Sequence, residues 1–178
     1  MGMKEAVFGT IITVVIGGTA YTVNKEDVVD NFADDTGLSQ QQAEEYVNNV
    51  GEEDLIPYDK LGADYFTDGN DVLSSANDID CVDYEYEWES PTLECEEGKD
   101  QLEEFGRDEI ALGNAYIKLS SDSASRSDIT STISILNEVN LNYNFEIVEF
   151  ILDSATISEN KKSNSFNKAT LEAALESE

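Results

Sequence analysis

The sequence predicts an α+β fold: an N-terminal β-hairpin and helix pair joined to an antiparallel β-sheet, with a short C-terminal helix. Three observations carry this expectation. A Gly17-Gly18 pair separates two β-branched runs, which is a hairpin signal. Capping residues bracket two amphipathic segments between Asn24 and Val50. Period-two alternation then recurs at Cys81–Glu89 and Leu141–Leu152. The expected division is a hairpin plus helix pair over 1–54, an acidic β-rich part over 55–160 and a tail over 161–178, packed as separate units or as one domain.

The first apolar run, Ala6–Val23, admits two readings. One is a hairpin of Thr10–Ile16 and Thr19–Val23. The other is a membrane anchor of nearly minimal length over residues 6–23. Three glycines, four threonines and a tyrosine within it favour the hairpin. Asn24 then caps a first helix whose stripe is Val28, Val29, Phe32 and Ala33. Gly37 falls where a left-handed C-cap is wanted. Ser39 with Gln42 forms a capping box for a second helix carrying Ala43, Tyr46, Val47 and Val50 inward.

Leu55–Ser75 reads as loops, with Pro57, Gly62 and a turn at Thr67–Asp71. In Cys81–Glu89 the acids Asp83, Glu85, Glu87 and Glu89 point one way, and Tyr84, Tyr86 and Trp88 the other, as on a half-buried strand. A turn at Ser90-Pro91-Thr92 would bring Cys81 near Cys95, so a disulfide between them is geometrically feasible. Asp100–Phe105 suggests a short acidic helix, Ile110–Leu119 a strand, and Ser120–Ser127 a loop. Ile129–Leu136 is ambiguous between helix and strand. Leu141–Leu152 reads as a strand and Lys168–Leu175 as a short helix.

Residues 23–50 resemble the N-terminal helix-turn-helix of the HU/IHF histone-like proteins. Asn24, Lys25, Asp27, Ala33, Thr36, Gly37, Leu38, Ser39, Ala43, Glu44 and Asn48 carry that resemblance. In that family these helices mainly build a dimer body, and Arg-rich arms on a following saddle enter the minor groove. Here Gly51 interrupts, Arg107 is the first arginine, and Gln40–Gln42 replace the usual lysines. The resemblance therefore implies a helix-turn-helix packing unit, while DNA bending does not carry over.

Charge excludes more than it identifies. Asp and Glu number 39 against 10 Lys and Arg, for a net charge of -29. Residues 51–110 alone carry 21 acids and 3 cations. Such a field repels nucleic acid and anionic lipid and favours basic protein surfaces. The stripe Asp83, Glu85, Glu87 and Glu89 places a charge about every 6.6–6.8 Å along a strand, the best sequence-level guess for an interface. The chain has no His, no phosphate-binding glycine loop and no nucleophile elbow. Asp78, Asp80 and Asp83 offer oxygen ligands suited to Ca²⁺, but their spacing departs from the EF-hand loop, and ordinary solvated turns account for them.

The expectation is a non-catalytic structural or assembly protein, such as an accessory component of a virion, without a cofactor. Its partners would be proteins with basic surfaces, without direct nucleic-acid contact and with membrane contact disfavoured. It would act in a virion or the cytoplasm. The alternatives are an acidic, DNA-mimic-like antagonist of a nucleic-acid-binding protein, and a surface protein anchored through residues 6–23.

Overall fold

The structure is a computed structural model that describes residues 11–52, 57–81 and 94–177. It is mixed α+β but dominated by helices. Strands β1 (Ile11–Ile16) and β2 (Thr19–Asn24) lead into helices α1 (Lys25–Thr36), α2 (Gln40–Glu52) and α3 (Tyr58–Asp78). Helices α4 (Cys95–Ser120), α5 (Arg126–Asn142), α6 (Glu146–Ile151) and α7 (Ser154–Glu176) follow.

The hairpin forms where its turn chemistry places it. Ile11 pairs with Asn24 and Ile16 with Thr19, leaving a two-residue loop. Gly17 and Gly18 have φ of 57° and 71°, as a primed turn requires. Alternation sorts Ile12, Val14 and Ile16 into the core and leaves Ile11 and Val15 exposed. The Gly17 N–H donates to the Leu119 carbonyl at 2.8 Å, satisfying an end-of-helix acceptor on α4 and pinning the loop there. Residues 11–23 are thus strand and turn rather than an anchoring helix. No described helix is long and apolar enough to cross a membrane.

The helix pair also follows its capping signals. The Asn24 side chain accepts from the Glu26 N–H at 3.1 Å, and Gly37 at φ 68° donates to the Ala33 carbonyl at 2.9 Å. Gln42 accepts from the Ser39 N–H at 3.2 Å and donates its own N–H to the Ser39 hydroxyl at 3.4 Å. Phe32 stacks on Tyr46 at 4.8 Å, and Phe166 of α7 meets both rings edge-on. Lys25 of α1 donates to Asn48 of α2, tying the two helices near their outer ends.

Among the described residues beyond 56, helices stand where the antiparallel sheet was expected. The loop region Leu55–Ser75 is largely α3. The strand at Ile110–Leu119 and the short helix at Asp100–Phe105 are parts of α4. Ile129–Leu136 resolves as helix within α5. Leu141–Leu152 divides between the end of α5 and the short α6, and the C-terminal helix runs 23 residues rather than over Lys168–Leu175 alone. The sheet among the described residues is the two-stranded hairpin. The Cys81–Glu89 strand falls, after Cys81, outside the described residues.

The physical reason is a helical spacing that outweighs local alternation. On α4, Gly98, Leu102, Phe105, Glu109, Leu112, Tyr116 and Leu119 are buried, stepping by three and four residues. On α5 the same spacing joins Ile129, Thr132, Leu136 and Val139 to Tyr143. Asp128 sits in the first turn of that helix, three residues after its N-cap Ser125. Its carboxylate accepts from the N–H of the N-cap Ser125 at 2.7 Å.

The α3 glycines act as recesses rather than breakers. Gly62 and Gly69 of α3 lie opposite Gly113 and Gly106 of α4 in an antiparallel pair. A Cβ added at Gly62 would lie 2.6 Å from the Gly113 carbonyl oxygen, and one at Gly69 would lie 2.7 Å from that of Gly106. Ile117, Ile110 and Leu73 each place a side chain beside the glycine on the opposite helix, and the Phe66 backbone lies against Gly113. Where α3 ends and α4 begins, Cys81 is bonded to Cys95, with Cα atoms 5.5 Å apart.

Candidate functional site

Two features outside the predicted stripe gather polar chemistry: a buried carboxyl in the α4 seam and an open groove beside α7. A hydrogen-bonded chain runs from Tyr65, whose phenol feels the charge of that carboxyl, to the groove wall.

Glu109 occupies a core position of the α4 heptad and is 6% exposed. Its Oε2 has no hydrogen-bond partner among the described residues. Burial, and then the charge of Asp68 on α3, push its carboxyl up to about 8. It is therefore mostly protonated at neutral pH, a neutral acid among aromatic rings. Its charge in turn acts on the phenols of Tyr65 (α3) and Tyr143 (the end of α5), both already held above the usual range by burial. Phe105 meets Tyr143 edge-on at 5.1 Å, and Tyr116 lies 5.5 Å from Tyr58 and 5.9 Å from Tyr65. The fully buried Tyr116 hydroxyl has no partner among the described residues either.

A chain of side chains leads outward from there. The Tyr65 hydroxyl donates to Asn164 Oδ1. Asn164 Nδ2 donates to Asn140 Oδ1 at 3.1 Å, and Asn140 Nδ2 donates to Ser165 Oγ at 3.3 Å. Asn164 is fully buried, so this network satisfies amide groups that would otherwise be costly to bury. Alongside it, Asn142 donates to Asp108 at 2.7 Å.

Asn140 and Ser165 form part of the wall of an open groove of about 970 Å³. One face of α7 (Ser154, Ile157, Ser158, Lys161, Lys162) supplies one wall, and Asp35, Thr36 and Leu38 at the end of α1 supply another. Leu141 and Glu149 also line it. Lys161 is held by Asn144 at 2.7 Å. Glu109 is not among the lining residues, and the amide chain that reaches the groove starts at the neighbouring Tyr65. Next to Glu149 on α6, Phe150 is 79% exposed and Ile151 47%, while Leu141 is 65% exposed.

The sequence-predicted site residues are placed only in part. Asp83, Glu85, Glu87 and Glu89 lie outside the described residues. Asp78 closes α3 and Asp80 follows it, but no three acidic or cysteine side chains converge as an ion-binding cluster among the described residues. Sequence reasoning missed Glu109. The signal was available, because a glutamate interrupts an otherwise apolar heptad from Leu102 to Leu119.

No protein-family model, curated protein or solved structure matches this chain.

Proposed function

We propose that this chain is a non-catalytic assembly component that docks a basic protein partner through the α5–α6 corner and the adjoining groove. The observation that carries the reading is the exposure of Leu141, Phe150 and Ile151 together on a strongly acidic molecule. Large apolar side chains exposed side by side mark interaction surfaces more often than solvated ones. Glu149 and Asp153 flank Phe150 and Ile151 in sequence, so a partner with an apolar ridge between Lys or Arg residues complements this corner.

The groove supports a peptide- or side-chain-binding role more readily than chemistry. Its walls mix hydroxyls, amides and apolar side chains with two lysines and the carboxylates of Asp35 and Glu149, and the strongly perturbed acid is not among them. The helix pair within residues 23–50, the stretch that resembles HU/IHF proteins, belongs in this reading to the packed body of the component. Its Phe32 and Tyr46 are engaged with Phe166 of the same chain.

The test is a photo-crosslinking residue placed at position 150 in the native source. The expected result is one dominant crosslinked protein with excess Lys and Arg, whose capture weakens at high salt and is lost in the Phe150→Asp chain. If that protein proves to be a DNA-binding one released by competing DNA, the antagonist role replaces the assembly role. A chain that crosslinks to nothing and migrates at its own 19.6 kDa overturns the proposal.

A further inference from the structure

We propose that α3 is a pH-gated flap, closed on α4 while the buried Glu109 is protonated and released when that carboxyl ionises. The geometry isolates α3 for such a role. Its principal contact is α4, whereas α4 also packs on α5, α6 and β1. Its far end is tethered by the Cys81–Cys95 bond, so it can separate without leaving the molecule. Glu109 lies at the middle of the seam, between the two glycine contacts Gly69–Gly106 and Gly62–Gly113.

The groups facing Glu109 cannot stabilise its charge. From α3 come the Tyr65 phenol, which already donates to Asn164, and Asp68, a second carboxylate backed by Asp64 and Asp71. From the end of α5 comes the Tyr143 phenol, engaged with Asn160. From α6 the buried side chains are the apolar Ile147 and Val148. On α4 itself the neighbours are Asp108, paired with Asn142, and the buried Tyr116. An ionised Glu109 therefore meets a like charge and aromatic faces, and moving α3 outward admits water to it.

The magnitude follows from linkage. With α3 closed the carboxyl titrates at about 8, and in an opened, solvated state it titrates near its ordinary 4.5. The open population then rises roughly 50-fold between pH 6 and pH 8 and levels off above that.

The experiment is native-state hydrogen exchange on the full, oxidised chain, corrected for intrinsic exchange rates, at a series of pH values from 5 to 9. The expected result is a roughly 50-fold loss of protection between pH 6 and 8 confined to the α3 amides, with α7 unchanged. Glu109→Gln should flatten this dependence. Asp68→Asn, on the exposed rim, should move its plateau to lower pH, which keeps the test decisive should the first variant fail to fold. Uniform loss of protection across all helices, or α3 protection independent of pH, overturns the proposal. So does a Glu109 carboxyl that carbon NMR finds titrating near 4.5.

Discussion

Replacing Gly69 by alanine sets two effects against each other. In an exposed helix interior, Gly→Ala gains about 1 kcal/mol from backbone entropy. Here the new Cβ would stand 2.7 Å from the Gly106 carbonyl oxygen and 2.8 Å and 2.9 Å from Ile110 Cγ1 and N. Two of those three atoms are backbone, so no rotamer change relieves them. Restoring ordinary contact needs the helices to part by roughly 0.7 Å, a gap that forfeits a quarter to a half of each dispersion contact along the seam. Overpacking of this kind costs about 1–3 kcal/mol, and in a seam with backbone on both sides the upper part of that range applies. The net expectation is a loss of about 2 kcal/mol, read as a lower urea midpoint at unchanged slope by far-UV circular dichroism. Because Gly106 occupies the same contact, Gly69→Ala and Gly106→Ala should combine non-additively. If Gly69→Ala is as stable as the parent chain, the close approach of the two backbones is refuted.

Four further outcomes follow from the same physical features. Reducing the Cys81–Cys95 bond, which closes a separation of 14 residues, should cost about 3 kcal/mol and lower Tm by roughly 6–12 °C, measured by calorimetry with and without reductant. Glu109 is an acid whose proton is held more tightly in the fold. Its contribution to stability is therefore fullest below pH 4.5, falls as pH rises towards 8, and is constant above. Glu109→Gln should thus stabilise by roughly 3 kcal/mol at pH 7 and by under 1 kcal/mol at pH 5, and melts at the two pH values would check the sign. Leu112→Ala, at a fully buried heptad position, should destabilise by about 2–5 kcal/mol in urea titration, whereas Phe150→Asp should leave the urea midpoint unchanged.

The N-terminal third was legible because its signals are local. Gly17-Gly18 admits few turns, and Asn24, Gly37 and Ser39 with Gln42 each satisfy backbone groups within a few residues. The helices beyond were not, because two residue types there carry a tertiary meaning opposite to their local one. Gly62 and Gly69 resemble turn residues until a second helix bearing Gly106 and Gly113 is laid against them. Leu141, Tyr143, Phe145 and Ile147 alternate like a strand, yet Tyr143 completes the stripe of α5 and Ile147 is buried on a separate helix. The candidate site was hidden for a related reason. In a chain with 39 acids a single glutamate attracts no notice, and only its place among Leu102, Phe105, Leu112 and Tyr116 sets Glu109 apart.

The repeat in the α3–α4 seam has a cost in alignment. Glycines seven residues apart on both helices mean that sliding one helix past the other by a heptad, about 10 Å, still matches one glycine pair. Packing alone is therefore a poor ruler along that axis. A disulfide spans Cα separations of only about 4.4–6.8 Å, so the Cys81–Cys95 bond is compatible with one of these alignments and forbids the slipped ones. The bridge thus selects the register as well as strengthening the pair.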